Sequence, residues 1–133
     1  MKIALCGSME FAKEMLEIKK KLDNVGHTVV LPKDTIEYAN GDKKTESKWA
    51  KTEGDLIKGY FGEIKNCDAV LVVNITKNGI ENYIGGNALI EMAFGHVLGK
   101  TVYLLNPVPD MNYKDEIEAM TPIVLNSDLL KIS

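Results

Sequence analysis

Short apolar runs rich in β-branched residues alternate along this chain with segments whose apolar positions recur every three or four residues, and glycine or proline sits at the joints. Strand, helix, strand within one sheet forces the strands parallel, so this alternation narrows the fold more than any single residue does. Lys2 to Cys6 reads as a buried strand closed by Gly7-Ser8; Phe11, Met15, Ile18, Leu22 and Val25 then keep helical spacing up to Gly26. His27 to Leu31 is a second strand, stopped by Pro32. Ala69 to Val73 is apolar without a break, the mark of a central parallel strand covered on both faces. Between them, Lys33 to Lys48 is polar, contains Asn40-Gly41 and keeps no sustained period, so it predicts an exposed loop with room for a helical turn. Leu56, Ile57, Tyr60, Phe61 and Ile64 restore helical spacing despite Gly54, Gly59 and Gly62.

The second half repeats the scheme. Asn74 to Gly86 is a loop, Asn87 to Leu98 a helix ended by Gly99, and Thr101 to Leu105 a strand. Asn106 to Asn112 is a Pro-bearing loop, Tyr113 to Met120 a short helix, and Pro122 to Leu125 an edge strand, where proline is tolerated. Val25-Gly26-His27-Thr28-Val29 and Leu98-Gly99-Lys100-Thr101-Val102 are alike, as expected of one helix-to-strand turn built twice. The expected architecture is α/β: a doubly wound, flavodoxin/Rossmann-like sheet of about five parallel strands with helices on both faces. At 133 residues it fits a single domain spanning 1–133.

Charge excludes some partners. Sixteen Lys+Arg against nineteen Asp+Glu give a formal charge of −3, with no global basic field to hold a nucleic acid polymer or an anionic membrane. No apolar run approaches the ~20 residues of a membrane span, and the opening strand meets Gly7-Ser8 before a signal-peptide core develops, so a cytoplasmic location is the expectation. Cys6 and Cys67 lie in or next to strands without metal-like spacing and are expected as buried reduced thiols. His27 and His96 have no acidic or cysteine neighbours at ligand spacing, and no metal site is expected. One glycine is not GxGxxG and no GxxxxGK[ST] occurs, which disfavours NAD and P-loop ATP chemistry; no cofactor is implied.

In doubly wound sheets ligands bind beyond the carboxyl ends of the strands, where strand order reverses. Cys6 to Met9, Asn74 to Asn87 and Asn106 to Asp110 converge there. Gly7-Ser8 reads either as an anion cradle or as a plain turn with Ser8 as N-cap. Ile80 to Asn87, with Gly79, Gly85 and Gly86 around Asn82 and Tyr83, reads as a loop bent around a ligand. Glu91 is a carboxylate among Leu89, Ile90, Met92 and Ala93, and small or polar Asn87, Ala88 and Gly95 around it would border a hollow with Phe94 as a wall. A carboxylate there suits nucleophilic or acid/base work. The alternative is an acidic group on its own helix N-terminus.

With these residues in place, the chain resembles the nucleoside 2-deoxyribosyltransferase superfamily, which includes the 2′-deoxynucleoside 5′-phosphate N-hydrolases. The likeness rests on the strand ending Cys6-Gly7-Ser8, on Ile64 to Val73 with Asp68 opening the strand, and on the Gly-rich approach to Glu91, then Ala93 and Gly99-Lys100. It implies that Glu91 attacks C1′ of the sugar, releasing the base and leaving a glycosyl-enzyme that water or a second base resolves. It also implies that Gly7-Ser8-Met9 holds the sugar or its 5′-phosphate, and that the protein is a homodimer, with Trp49, Tyr60 and Phe61 available for the interface.

Three helper positions depart from the family pattern: Ala4 stands where a tyrosine is usual, Tyr60 where an aspartate is usual, and Gly85 where Asp or Ser is usual. Tyr60 replaces that aspartate only in part, since a phenol with a pKa near ~10 donates a proton but is a poor base at neutral pH. No Arg or Lys neighbours the Gly7-Ser8 turn in sequence, and Glu10 does. Two readings follow. One is an N-glycosidase or deoxyribosyltransferase-like enzyme acting on nucleosides or their 5′-monophosphates, with Glu91 and Tyr60 in catalysis and Cys6, Gly7, Ser8, Met9, Asn74, Asn82, Tyr83, Gly85, Gly86 and Asn87 holding substrate. The other is a catalytically impaired nucleotide-binding or sensing module on the same fold.

Overall fold

The computed structural model describes residues 1–42 and 56–133. Five strands, β1 (Lys2–Cys6), β2 (Thr28–Val30), β3 (Ala69–Val72), β4 (Thr101–Leu104) and β5 (Ile123–Val124), pair in parallel in the order β2-β1-β3-β4-β5. Helices α1 (Ala12–Asn24), α2 (Thr35–Ala39), α3 (Leu56–Lys65), α4 (Gly86–Val97) and α5 (Lys114–Ala119) connect or follow them. Ala69 to Val73 has no exposed surface, as the unbroken apolar run predicts for a central strand.

Side chains alternate across the sheet and build two cores. Ile3, Leu5, Leu71 and Val73 pack with Met15, Ile18 and Leu22 of α1 on one face. Ala4, Cys6, Val70 and Val72 pack with Tyr60 and Ile64 of α3, Ala88 and Met92 of α4 and Ile117 of α5 on the other. Tyr60 therefore belongs to the core of its own chain, and Phe61 stacks edge-on against Phe94 at 4.8 Å between ring centres. Trp49 and Gly54 lie outside the described residues.

The twin joints share one hydrogen-bond pattern. At the end of α1, Gly26 N donates to Asp23 O and His27 N to Leu22 O; at the end of α4, Gly99 N donates to His96 O and Lys100 N to Gly95 O. Each is a Schellman stop, with glycine in the left-handed region at φ 93° and 73°. The same motif closes α2, a helical turn within the expected loop over Lys33 to Lys48, of which 43–48 lie outside the described residues: Gly41 N donates to Tyr38 O and Asp42 N to Glu37 O. Asn40-Gly41, a turn signal in sequence, is thus a helix stop. Five residues are too few to show a period, which is why the helix escaped the pattern. At the far edge β5 covers Ile123 and Val124 within the expected Pro122 to Leu125, Leu125 N still donating to Leu104 O at 2.9 Å, and a short 3-10 turn at Leu129–Lys131 follows.

Candidate functional site

Strand order reverses between β1 and β3, so the carboxyl ends of these two strands frame the place where doubly wound sheets bind ligands. Val73 N donates to Cys6 O, keeping the two chains together past the last paired residues. Gly7 follows, and a Cβ at this position would lie 2.9 Å from Met15 Cε and 3.0 Å from Val73 O, so close approach of three segments requires a glycine. Ser8 caps the 3-10 turn Met9–Phe11 by accepting from Glu10 N at 3.2 Å. Met9 points into the α1 core, its sulfur 4.0 Å from the Thr35 hydroxyl. It also lines an open groove of about 390 Å3 with Glu10, Lys13, Tyr38 and Asn40.

The loop after β3 is folded, not slack. Lys77 and Ile80 exchange both main-chain hydrogen bonds across Asn78 and Gly79, which have φ of 52° and 77°. This is a two-residue hairpin of the primed type that an Asn-Gly pair favours. Tyr83 N returns to Ile75 O, with Asn82 left-handed at φ 58° between them. The hairpin delivers Lys77 to the β1 turn: its Nζ donates to Ser8 Oγ at 3.1 Å, lies 3.8 Å from Glu10 Oε2 and sits 5.2 Å above the Tyr83 ring. Sequence gave no sign of this lysine, because its contact with Ser8 spans 69 positions. The Asn78-Gly79 pair signals the hairpin but says nothing of where its first residue lands. Below Tyr83, Gly85 leaves room for the ring, since a Cβ there would lie 3.2 Å from Cε1 and from the hydroxyl. Tyr113 pins the same stretch by donating its hydroxyl to Ile84 O.

Asn74 is fully buried, and its amide is spent on a neighbouring loop: Nδ2 donates to Asn106 O and Pro107 O, and Oδ1 accepts from Asn106 N. Asn106 answers by donating to Asn74 O and accepting from Ser127. The Asn74 side chain clamps the loops after β3 and β4 and has no amide hydrogen left for a ligand.

Glu91 is half-buried on α4 and faces Cys6 at the end of β1. Burial above all, then the Glu91 charge and a hydrogen bond to its carboxylate, push the Cys6 thiol well above its usual range, so the thiol keeps its proton. Gly86 is exposed in the first turn of α4, and Asn87 beside it is half-buried. Two of the small residues flanking Glu91 meet the sheet. Ala88 is buried against the sheet, and a Cβ on Gly95 would lie 2.9 Å from Val70 Cγ2, so they let α4 approach β3 closely. Phe94, expected as a wall, packs edge-on against Phe61.

Tyr60, 7% exposed, lies on the same side of the sheet, and its hydroxyl faces Leu5 O and, at 3.2 Å, Val30 O. Burial first, then Cys6 and Glu91, raise its pKa well above the phenol value. The single phenolic proton is committed to main-chain carbonyls where β1 and β2 part.

Among the described residues no group of three or more His, Cys, Asp or Glu side chains could hold a metal ion, and no helix is long and apolar enough to cross a membrane. The chain matches no protein-family model and no curated protein. Among solved structures it is similar to the 2-deoxyribosyltransferase of the psychrotolerant bacterium Bacillus psychrosaccharolyticus, described as a biocatalyst for nucleoside synthesis. The two chains are 23% identical over 78% of this chain and 71% of that one, with a TM-score of 0.55. The likeness is one of fold: a five-stranded parallel α/β sheet.

Proposed function

We propose that this chain cleaves the N-glycosidic bond of nucleosides or nucleoside 5′-monophosphates, as an N-glycosidase or deoxyribosyltransferase-like enzyme with Glu91 as nucleophile. The observation that carries the reading is the half-buried Glu91 carboxylate on α4, close to Cys6 at the carboxyl end of β1 and so beside the switch point of the sheet. The fold shared with a nucleoside-handling transferase supports the same reading.

In the proposed reaction a Glu91 oxygen bonds to C1′ as the C1′–N bond breaks, and its electron pair leaves with the base, which takes a proton from solvent. Water, or the nitrogen of a second base, then attacks C1′ and frees the carboxylate. Gly7 and Ser8 would hold the 5′ end of the sugar, Tyr83 and Asn82 would border the ring or base, and Gly85, Gly86 and Asn87 would close the near side. Tyr60 would act by fixing the end of β1 that presents Cys6.

Free-base release from a panel of ribo- and deoxyribonucleosides and their monophosphates tests the proposal. Glu91→Gln is expected to abolish release while leaving the fold intact. The committed Tyr60 proton favours a second reading, a nucleotide-binding module without turnover. No release by wild type from any compound, together with a ligand-induced rise in Tm, would establish that reading instead.

A further inference from the structure

Asn-Gly occurs twice in the chain, at Asn40-Gly41 and Asn78-Gly79, and the fold treats the two pairs differently. Such a pair is chemically labile, because the glycine nitrogen can attack the asparagine side-chain carbonyl and close a five-membered imide with no Cβ on the second residue to hinder it. Ring closure needs that nitrogen swung round to the side chain, with the asparagine ψ at about −120°, the value at the first position of a type II′ turn. Asn78 and Gly79 are both exposed, and their φ of 52° and 77° make them the type I′ pair at the hairpin tip. Types I′ and II′ share a positive φ at the first turn residue and differ by a flip of the central peptide. The Asn78–Gly79 peptide can therefore reach the ring-closing geometry while Lys77 N to Ile80 O, at 3.1 Å, and Ile80 N to Lys77 O, at 3.0 Å, stay in place. Open space surrounds Gly79 during the flip. Elsewhere the attacking nitrogen is held. Gly41 N donates to Tyr38 O, and turning it toward Asn40 unmakes the stop of α2, including Asp42 N to Glu37 O. At the other left-handed asparagines, Asn82 and Asn126, the next nitrogen belongs to Tyr83 or Ser127 and donates to Ile75 O or Leu105 O.

We propose that Asn78 is a site of spontaneous covalent modification, deamidating through an imide with Gly79 to aspartate and isoaspartate. Gly79 N gives its proton to solvent and bonds to Asn78 Cγ; the Cγ–Nδ2 bond breaks, and ammonia leaves with a proton taken from water. A water molecule then opens the ring at one of its two carbonyls. Attack at Cγ yields aspartate, and attack at the main-chain carbonyl yields isoaspartate, whose backbone runs through the former side chain and is one carbon longer. Either product places a new carboxylate next to Lys77, whose ammonium lies 3.1 Å from Ser8 Oγ and 5.2 Å above the Tyr83 ring. The longer isoaspartyl backbone no longer fits a two-residue turn, so the pairing of Lys77 with Ile80 is lost with it. The modification thus alters the hairpin that borders the candidate site, whatever reaction that site performs.

Peptide mapping of the full chain, held folded at mildly alkaline pH and sampled over days, reads the two Asn-Gly pairs side by side. Chromatography with mass spectrometry separates the asparaginyl, aspartyl and isoaspartyl forms of each peptide. Conversion at Asn78 is expected to outrun conversion at Asn40 by roughly 10-fold, the worth of the two amide hydrogen bonds that must open at the α2 stop. The same incubation in urea, where both pairs are unfolded, should bring the ratio close to one, because the dipeptides are chemically the same. Asn78→Gln should abolish the products at that position and leave the rate at Asn40 unchanged, which ties the fast peptide to the hairpin tip. Equal conversion of the two pairs in the folded chain, faster conversion at Asn40, or a folded ratio no larger than the ratio in urea would each overturn the proposal.

Discussion

Tyr60 has one proton, and its surroundings decide where that proton goes. The hydroxyl sits between Leu5 O and Val30 O, buried, with its ionisation opposed by desolvation and by Cys6 and Glu91. Tyr60→Phe would leave those carbonyls short of a donor at a cost of about 1 to 3 kcal/mol, read as a lower urea midpoint. If the phenol protonated a leaving base, the same change would instead slow release by roughly 10² to 10⁴-fold. The structure predicts the stability loss with a change in release well below that range; a stable variant that has lost its rate would contradict it. Residue types told only part of this. Glu91 stands out in sequence because a carboxylate in an apolar helical stretch is out of place, and its half-buried setting near Cys6 is what the structure adds. The positions of Lys77 and the Tyr60 hydroxyl were not, since each is fixed by partners from distant strands and loops: Ser8 for the first, Leu5 and Val30 for the second.

Helices α3 and α4 carry glycines of opposite meaning. Gly62 of α3 has open space where a Cβ would project, whereas a Cβ on Gly95 of α4 would press on Val70 Cγ2 at 2.9 Å and Cγ1 at 3.1 Å. Gly62→Ala should therefore stabilise the chain by about 0.5 to 1 kcal/mol, through helix propensity and a less disordered unfolded state. Gly95→Ala gains the same propensity but forces apart a helix and a central strand, an overpacking cost of about 1 to 3 kcal/mol, so its net effect should be destabilising. Thermal melts of the two variants should move in opposite directions; equal shifts would mean that α4 is not seated tightly on β3. Sequence identified both elements within a residue or two, because periodicity and the Gly99 stop are local signals. Helical spacing says which residues near Glu91 share a face but not what that face meets, so the seating of Ala88 and Gly95 on the sheet had no local signal. Three Schellman stops share one chemistry, yet α2 was legible only as a helical turn within a loop, because five residues are too few to set a period.

At the scale of the whole molecule, the alternation of strands and helices predicted the parallel sheet, and pairing in the order β2-β1-β3-β4-β5 places its reversal between β1 and β3. The site at that reversal leans on the α3/α4 core, which couples it to the stability of the fold. Cys6 and Tyr60, both in that core, have ionisations pushed up chiefly by burial, and Cys67 is raised in the same direction. The sign of the linkage follows from where protons are held. Unfolded, the thiols ionise near 9.0 and the phenol near 10.0; folded, Cys6 and Tyr60 keep their protons well beyond those values. Above pH 9 the unfolded state sheds protons that the native state retains, so stability is fully present below that point and falls as pH rises. Urea midpoints measured from pH 7 to 10.5 should be level up to about pH 8 and then decline. Cys6→Ala should flatten the onset near pH 9, and Tyr60→Phe the steeper part above pH 10. Each variant removes one group that binds a proton more tightly in the folded chain, so an unchanged alkaline slope in Cys6→Ala would show that the folded chain holds the Cys6 proton no more tightly than the unfolded one.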